Sequence, residues 1–541
     1  MANKNIRTLS SRKELDDNLF ENIADLSHKN ASKEEFQELS KRFFIDDSVV
    51  VGTASFYDFT REENRNKKIH ICSGTACMVA KTQSHLHNNI EGHFEKNEIG
   101  HAACVGRCHA NNAFMFDGKT YNASNKEEVA TIIVEKKYQE NEYNIDCNTT
   151  PILTSKVENI TNYYGLAEKH KGNPQQVIRE IKTSNLRGRG GAGFPFWFKL
   201  DAVIKEENEQ KYIVCNADEG DPGAYSDMYL MEHQPHKVLF GMYMAGLTVG
   251  ANTGVLYIRG EYPDSIKIIG EAIDELKEKN LISDFRFKII HGQGSYVCGE
   301  ETALLNSIEG LRPEVRVRPP YPAQYGLYGK PTVLSNVETF ANIHWILENG
   351  GAAYANLGTK QSTGTKLVSL DSFFNKPGMY EIEMGTDLHT IFHEYGNGFK
   401  TDIKGFQIGG PLGGIVPMHK IGDLTLDFES LNSNGFLLGH ASVVSIPEDF
   451  PMVKFLEHLM EFTADESCGK CYPCRIGSHR GMEKLQKAQK ENYKSDRQLL
   501  DDLLETLEIG SLCALGGGVP LPVKNALMYF NDELKQYFTS N

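Results

Sequence analysis

No stretch of this 541-residue chain approaches the ~18 uninterrupted apolar residues of a membrane helix, so no direct membrane insertion is expected. The opening MANKNIRTLSSRKELDDNLF is charged throughout and has no apolar h-region, so it does not read as a secretory signal. Positive charge is in short supply: 57 Lys and Arg against 72 Asp and Glu leave a net charge of −15. A nucleic-acid partner is disfavoured, because phosphate binding needs a basic surface. There is no internal repeat and no long low-complexity tract. A cytoplasmic protein is the default reading.

The length exceeds what one core supports, and roughly 100–200 residues per domain implies three to five units. Residues 1–60 read as a helical segment, with apolar positions at Leu15, Leu19, Ile23, Phe36, Leu39 and Phe43. A charged junction, REENRNKK, leads to a small α/β domain over 61–137 with a hairpin-like AFMFDGKTY. The polar stretch 138–150 reads as a linker. Residues 151–360 alternate strands and helices, as in KYIVCNA, TGVLYIRGE, SIKIIGEAIDELKEK and FRFKIIHG. Residues 361–448 are rich in short strands and Gly-Gly turns. Helices return over 449–541.

The eleven cysteines are poor disulfide arithmetic and good metal-ligand arithmetic for a large unsecreted chain. Cys468, Cys471 and Cys474 form C-x-x-C-x-x-C, and Cys513 follows in GSLCALGG. Four thiolates suit a 4Fe-4S cluster or tetrahedral zinc, and this spacing leans towards iron–sulfur. Cys72 and Cys77, with Cys104 and Cys108, offer a second four-thiolate site, for which a zinc knuckle is the alternative. Cys147, Cys215 and Cys298 read as small apolar residues. His85, His87, His93, His101 and His109 read as solvated surface histidines.

NLRGRGGAGFPFWFK (185–199) satisfies G-x-G-x-x-G, but the context is wrong for a Rossmann turn. The segment before it has helical periodicity, and an aromatic wall follows. The glycines still allow the backbone to lie against a ring or a phosphate, with Arg187, Arg189 and Lys199 supplying charge. NADEGDPG (216–223) clusters carboxylates at a strand end, and GSYVCGEETALLNS (294–307) puts acids at a helix start. RPPYPAQYGLYGKPTVLSNVET (318–339) is a proline- and aromatic-rich loop. For each stretch alone, turn carboxylates, helix capping or a packed loop is the ordinary alternative.

GRGGAGFP, NADEGDPG, YVCGEETAL, GKPTVLSNVET and ESCGKCYPCR, in this order, closely resemble the flavin- and NADH-binding subunit of respiratory complex I, over roughly residues 150–541. The same module recurs in NAD-dependent molybdenum formate dehydrogenases and NAD-reducing hydrogenases. The N-terminal cysteines resemble the thioredoxin-like 2Fe-2S subunit, here fused in front, although the Cys77–Cys104 interval is shorter than that family usually shows. The resemblance implies a thioredoxin-like 2Fe-2S domain, a Rossmann-like FMN/NADH domain, a ubiquitin-like β-grasp domain and a C-terminal helical bundle with one 4Fe-4S cluster. It implies FMN contacts at Gly188, Gly190, Lys199, Asn216, Asp218, Glu219, Gly299, Glu300 and Asn336. NAD(H) contacts are implied at Phe194, Asp221, Glu301, Arg318 and Tyr321. Arg189, Gly191, Gly193 and Tyr296 complete the expected cofactor-binding positions. Glu300 is the expected catalytic carboxylate nearest the reacting rings. The departures from the family concentrate at Phe196, Trp197 and Ala202, with Ser335 in place of an Asn and Arg318 in place of a Lys.

A carboxylate at Glu301 near the adenosine ribose would repel a 2′-phosphate, so NAD is expected over NADP. Arg107, between Cys104 and Cys108, is expected to place a cation beside the 2Fe-2S cluster and raise its potential. A flavin converts between a hydride donor and one-electron clusters, so the chain is expected to be an NADH:acceptor oxidoreductase. No molybdenum or nickel–iron motif is recognisable, and no ferredoxin segment is added before Asn541. The chain therefore reads as one subunit beside a large catalytic subunit of formate dehydrogenase alpha type or hydrogenase type. ADEGDPGAYSDMYLME and LGHASVV favour formate dehydrogenase, LYIRGEY the hydrogenase branch, with complex I third. An electron-relay or assembly subunit that does not bind NADH is the alternative of a different class.

Overall fold

The computed structural model describes residues 15–490 and 493–539. The first fourteen residues of the helical segment expected over 1–60 lie outside these. The remainder forms three helices, Leu19–His28, Lys33–Arg42 and Asp47–Ala54. Leu19, Ile23, Leu39, Phe43 and Val50 close their shared core. Asn18 and Ser32 cap the first two helices through their side chains, and Ser32 forms a capping box with Glu35. This unit is fastened to the rest of the chain by Asn18 Nδ2, which donates to the Ile308 carbonyl at 2.8 Å, and by Tyr57, whose hydroxyl meets Ser307 at 2.7 Å.

The small α/β domain carries strands β1 (Ile69–Cys72), β2 (Ile99–Ala102), β3 (Ala113–Phe116) and β4 (Lys119–Asn122), in sheet order β2-β1-β3-β4. β1 and β2 run parallel; β3 and β4 form an antiparallel hairpin. Asp117 and Gly118 both have positive φ at its turn, the left-handed geometry a two-residue hairpin loop requires. β5 (Asn144–Cys147) lies inside the stretch expected to be a linker, yet it pairs in parallel with a strand of the C-terminal sheet. Its residues are mostly exposed, so no apolar pattern announces it; backbone pairing at a sheet edge holds it there.

The central sheet contains β6 (Tyr212–Ala217), β7 (Thr253–Ile258), β8 (Arg286–His291) and β9 (Thr332–Asn336), all parallel, in the order β8-β7-β6-β9. β6 and β7 are buried along almost their whole length, as strands covered on both faces must be. The crossover helix Pro263–Glu278 starts with proline in its first turn and buries Ile269, Ala272, Ile273 and Leu276 on one face. The sheet order reverses between β6 and β9. In an open parallel sheet, that is where a crevice opens at the carboxyl ends of the strands.

The next sheet holds β10 (Thr365–Leu370), β11 (Gly378–Glu383), β12 (Ile403–Ile408), β13 (Ile415–Pro417) and β14 (Ser442–Pro447), in the order β13-β12-β14-β10-β11-β5. A helical region follows, with Met452–Asp465, Ser478–Ala488 and Arg497–Gly510 its longest members. The two large sheets are joined by a fully buried ion pair between Lys366 of β10 and Glu338, two residues beyond β9. Removing one partner of such a pair leaves an uncompensated buried charge. Lys366→Met should therefore cost about 3–5 kcal/mol, read as a lower urea midpoint; an unchanged midpoint would contradict this account of the joint.

Candidate functional site

The glycine loop joins helix Pro174–Ser184 to helix Phe196–Ile204, so it does not follow a strand. Arg187 pairs with Pro195 across its neck, and the Gly188 N–H donates to the Phe194 carbonyl at 2.8 Å. The tip then lies over the crevice at β6 and β9. A Cβ on Gly190 would sit 2.9 Å from Cβ of Asn336, and Gly191 holds φ +123°, so the close approach excludes side chains.

The two loop arginines do not point charge at a ligand. Arg189 is 1% exposed, and its guanidinium is spent on the Tyr354 hydroxyl at 3.0 Å and the Thr363 carbonyl. Arg187 pairs with Glu429 and lies 4.1 Å over the Phe428 ring. Lys199 remains half-buried, with its Nζ 2.9 Å from the Leu334 carbonyl and 3.5 Å from Glu301. Arg318 closes the other side of Glu301 at 2.8 Å.

Asn216 and Asn336 are register partners at the carboxyl ends of β6 and β9. Asn216 donates to the Gly299 carbonyl at 2.7 Å, and Asn336 donates to Asp227 at 2.6 Å. Glu219 is buried and accepts from Ser226 Oγ and the Asp227 N–H at 3.0 Å, and from the Met228 N–H and the Tyr262 hydroxyl at 3.1 Å. Burial, then the neighbouring Asp227 charge, pushes the Glu219 carboxyl up to about 7. Asp221 accepts from the Tyr296 hydroxyl at 2.8 Å. Glu300 caps helix Glu301–Ile308, accepting from the N–H groups of Thr302 and Ala303 at 2.9 Å.

His440 is a buried neighbour of the acidic loop that sequence reasoning missed, and the signal available was its position in LGHASVV just before a strand. It lies 3.3 Å from Asp227, 3.5 Å from Glu219 and 3.1 Å from Ser226 Oγ. Among the described residues, Glu219, Asp227 and His440 have the spacing of a single-ion site. The imidazolium already supplies the cation: burial alone would lower its pKa, but Asp227 and Glu219 overcome this and push it up to about 9.

The crevice suits a flat ring carrying phosphate. Gly190 is exposed, Phe194 and Phe198 meet edge to face at 5.6 Å with both rings partly open to solvent, and Tyr321 is 55% exposed. One shielded oxygen of Asp218 has no partner, as a group waiting for a ligand donor would. Phe196 and Trp197 turn away from this mouth. Phe196 packs against Phe340 within the core, and Trp197 lies beneath Lys182.

Cys72, Cys77, Cys104 and Cys108 are all buried free thiols, with Cys104 and Cys108 3.6 Å apart and with Cys104 and Cys77 close enough to Cys72 to push its thiol well up. Cys468 and Cys471 sit on the loop after helix Met452–Asp465, Cys474 in the next helical turn, and Cys513 at the start of Ala514–Gly518. A Cβ on Gly516 would approach Cβ of Cys474 to 2.7 Å, so the Cys513 segment returns onto the first three cysteines. Two four-thiolate donor sets result, which fits iron–sulfur clusters.

Arg107 does not serve the N-terminal set as expected. Its guanidinium is committed to Thr120 at 3.1 Å, Asn122 at 3.0 Å and the Gln139 carbonyl at 3.3 Å. The cation that meets a cluster cysteine is Arg259, which donates to the Cys104 carbonyl at 2.8 Å. Hydrogen bonds from Cys108 and Cys72, with the Arg259 charge adding to them, draw the Cys104 thiol well down. His109 is also not a surface residue: it is buried beside Tyr143 and Tyr225, and burial lowers its pKa to about 3.

A ring-accepting crevice flanked by two four-cysteine sets defines a flavin and iron–sulfur oxidoreductase subunit. Family models match three regions: a thioredoxin-like [2Fe-2S] ferredoxin over residues 19–137, the Nuo51 FMN-binding domain over 181–345, and the NADH-ubiquinone oxidoreductase-F iron–sulfur binding region over 454–537. NADP-reducing hydrogenase subunit HndC of Solidesulfovibrio fructosivorans is 40% identical over 69% of this chain and 78% of its own. The NADH-quinone oxidoreductase F 2 subunit of Rhizobium meliloti is 39% identical over 66% of this chain and 88% of its own. A crystal structure of an NAD+-reducing [NiFe]-hydrogenase in the air-oxidized state superposes with TM-score 0.86 at 26% identity, covering 97% of this chain and 94% of that one. The chain belongs to the family of 51 kDa-type NADH/FMN-binding subunits, with a thioredoxin-like 2Fe-2S domain fused on its N-terminal side. It is a flavin- and iron–sulfur-dependent NADH:acceptor oxidoreductase.

The folded His440 pKa of about 9 lies above the ordinary 6.5, so its ion pair with Asp227 contributes stability that is full below about pH 6.5 and is lost as pH rises through 9. Wild-type Tm should fall between pH 6.5 and pH 9 more steeply than that of His440→Gln. Parallel pH profiles would contradict the ion pair.

Proposed function

We propose that this chain is the NADH-dehydrogenase (diaphorase) subunit of an NAD(P)-linked hydrogenase complex, exchanging electrons with a large hydrogenase-type subunit. One observation carries the reading: the NAD+-reducing [NiFe]-hydrogenase chain matches almost end to end, N-terminal cysteine domain included. The formate dehydrogenase assignment favoured from the sequence gives way here, because the hydrogenase and quinone-oxidoreductase relatives support the other branches better.

Within this reading the glycine loop, Asn216, Asp218, Gly299 and Asn336 would hold FMN, and Phe194 and Tyr321 would flank the nicotinamide nucleotide. When bound, FMN accepts a hydride from NADH and releases single electrons to iron–sulfur centres. Gly190 gives backbone access, the exposed aromatic rings exclude water from one face, and Lys199 offers charge to phosphate. Asp218 has the free oxygen that orients a donor. Glu301, held between Lys199 and Arg318, would meet the ribose hydroxyls and favour NAD(H). Glu300, fixed at its helix cap, acts on Cys513 to disfavour its thiolate, which supports a position for it on the side of the crevice that would face the 4Fe-4S cluster. Cys72, Cys77, Cys104 and Cys108 would hold the 2Fe-2S cluster.

The test is purification of the native complex from its host. Hydrogen-dependent reduction of NAD+, with a nickel–iron or iron-only hydrogenase subunit co-purifying, is the expected result. Formate-dependent reduction with a molybdenum subunit would overturn the assignment.

A further inference from the structure

The segment Ile258–Tyr262 was legible in the sequence only as a branch signature, yet in the fold it is a wedge between the cluster loop Cys104–Cys108 and the acidic loop 218–221. Arg259 follows β7 directly and is 3% exposed. Its guanidinium donates to the Cys104 carbonyl at 2.8 Å on one side and to the Glu219 carbonyl on the other. Glu261, 2% exposed, pairs with it through both carboxylate oxygens, at 2.9 and 3.3 Å. Tyr262 lies beneath the guanidinium at 4.9 Å, and its hydroxyl reaches the Glu219 carboxylate at 3.1 Å. Gly106, between the cluster cysteines, has φ +75°, and a Cβ there would sit 2.8 Å from the Tyr262 ring. Arg259 and Tyr262 therefore touch both loops, and Glu261 joins them through its pair with Arg259.

We infer that the Arg259–Glu261 pair is the electrostatic link between the 2Fe-2S site and the flavin crevice: Arg259 raises the potential of the cluster, Glu261 moderates it, and the pair fixes the acidic loop. The physics is that of fixed charges in a poorly solvated interior. A one-electron reduction adds one negative charge to the cluster, and a guanidinium bonded to a ligand's own carbonyl favours that state. A carboxylate bound to the guanidinium opposes it. The electron leaves the flavin site and arrives at the cluster with no bond made or broken, so the positioning residues act only through field and hydrogen bonding. This rests on the cofactor assignment proposed above.

The experiment is a redox titration of the full chain, following the electron paramagnetic resonance signals of both clusters, on wild type, Arg259→Gln, Arg259→Lys and Glu261→Gln. The 2Fe-2S midpoint should move down in Arg259→Gln, move up in Glu261→Gln, and stay closer to wild type in Arg259→Lys. The 4Fe-4S midpoint should hold still as the internal control. A merely structural pair would not give opposite signs. Should Arg259→Gln lose its cluster, the upward shift in Glu261→Gln and the near-wild-type value in Arg259→Lys carry the test. A wild-type 2Fe-2S signal whose potential ignores Glu261→Gln, or shifts of one sign in both variants, would overturn the inference. Absence of any 2Fe-2S signal from wild-type protein would instead overturn the underlying cofactor reading.

Discussion

Four carboxylates, Asp218, Glu219, Asp221 and Asp227, are drawn out of full solvent at the carboxyl end of β6, and the rest of the molecule is arranged around compensating them. A buried charge without partners is costly, so Glu219, Asp221 and Asp227 are answered by hydrogen bonds or an opposite charge, while Asp218 keeps one shielded oxygen free. Each answer comes from a different part of the chain. Arg259 brings the N-terminal cysteine domain to the back of the acidic loop, and His440 brings the second large sheet against Glu219 and Asp227. Tyr296 bonds Asp221 through its hydroxyl, while its own N–H donates at 2.7 Å to Glu466, two residues before Cys468. The loop that forms the floor of the crevice thus also sets where both cysteine sets stand.

This arrangement gives the crevice its chemistry. A parallel sheet supplies an opening at its switch point, and the glycine tip can lie over it because Gly190 has no side chain to meet Asn336. Charge is sorted by exposure: Arg187 and Arg189 brace the loop, while Lys199 and Arg318 stay near the mouth with Glu301 between them. Cys513 lies on the Glu300 side and Cys104 on the Arg259 side, so under the proposed function electrons would have an exit on either flank of the acidic loop. Contact between Thr75 of the N-terminal domain and His458 of the C-terminal helices, at 3.1 Å, closes the group.

What the sequence revealed was whatever is written locally. The cysteine spacings, the helix before the glycine loop, the hairpin at Asp117–Gly118 and the strand–helix–strand alternation all follow from neighbours in the chain. What it concealed depends on partners far away. β5 has exposed polar residues and is a strand only because β11 offers an edge. Arg107 sits between two cysteines in sequence, but residue 107 faces β4, whereas Arg259, some 150 residues further on, reaches Cys104. His440 looked like any residue of a glycine-rich turn until the fold placed it among Glu219, Asp227 and Ser226.

The central claim is that one crevice passes reducing equivalents from NADH to two iron–sulfur centres within this chain. Anaerobic titration of the purified protein with NADH tests it most directly, reading flavin absorbance and low-temperature paramagnetic resonance on the same sample. Bleaching of the flavin band together with the appearance of two distinct reduced-cluster signals is the predicted result. Iron–sulfur colour with no bleaching on adding NADH would contradict it.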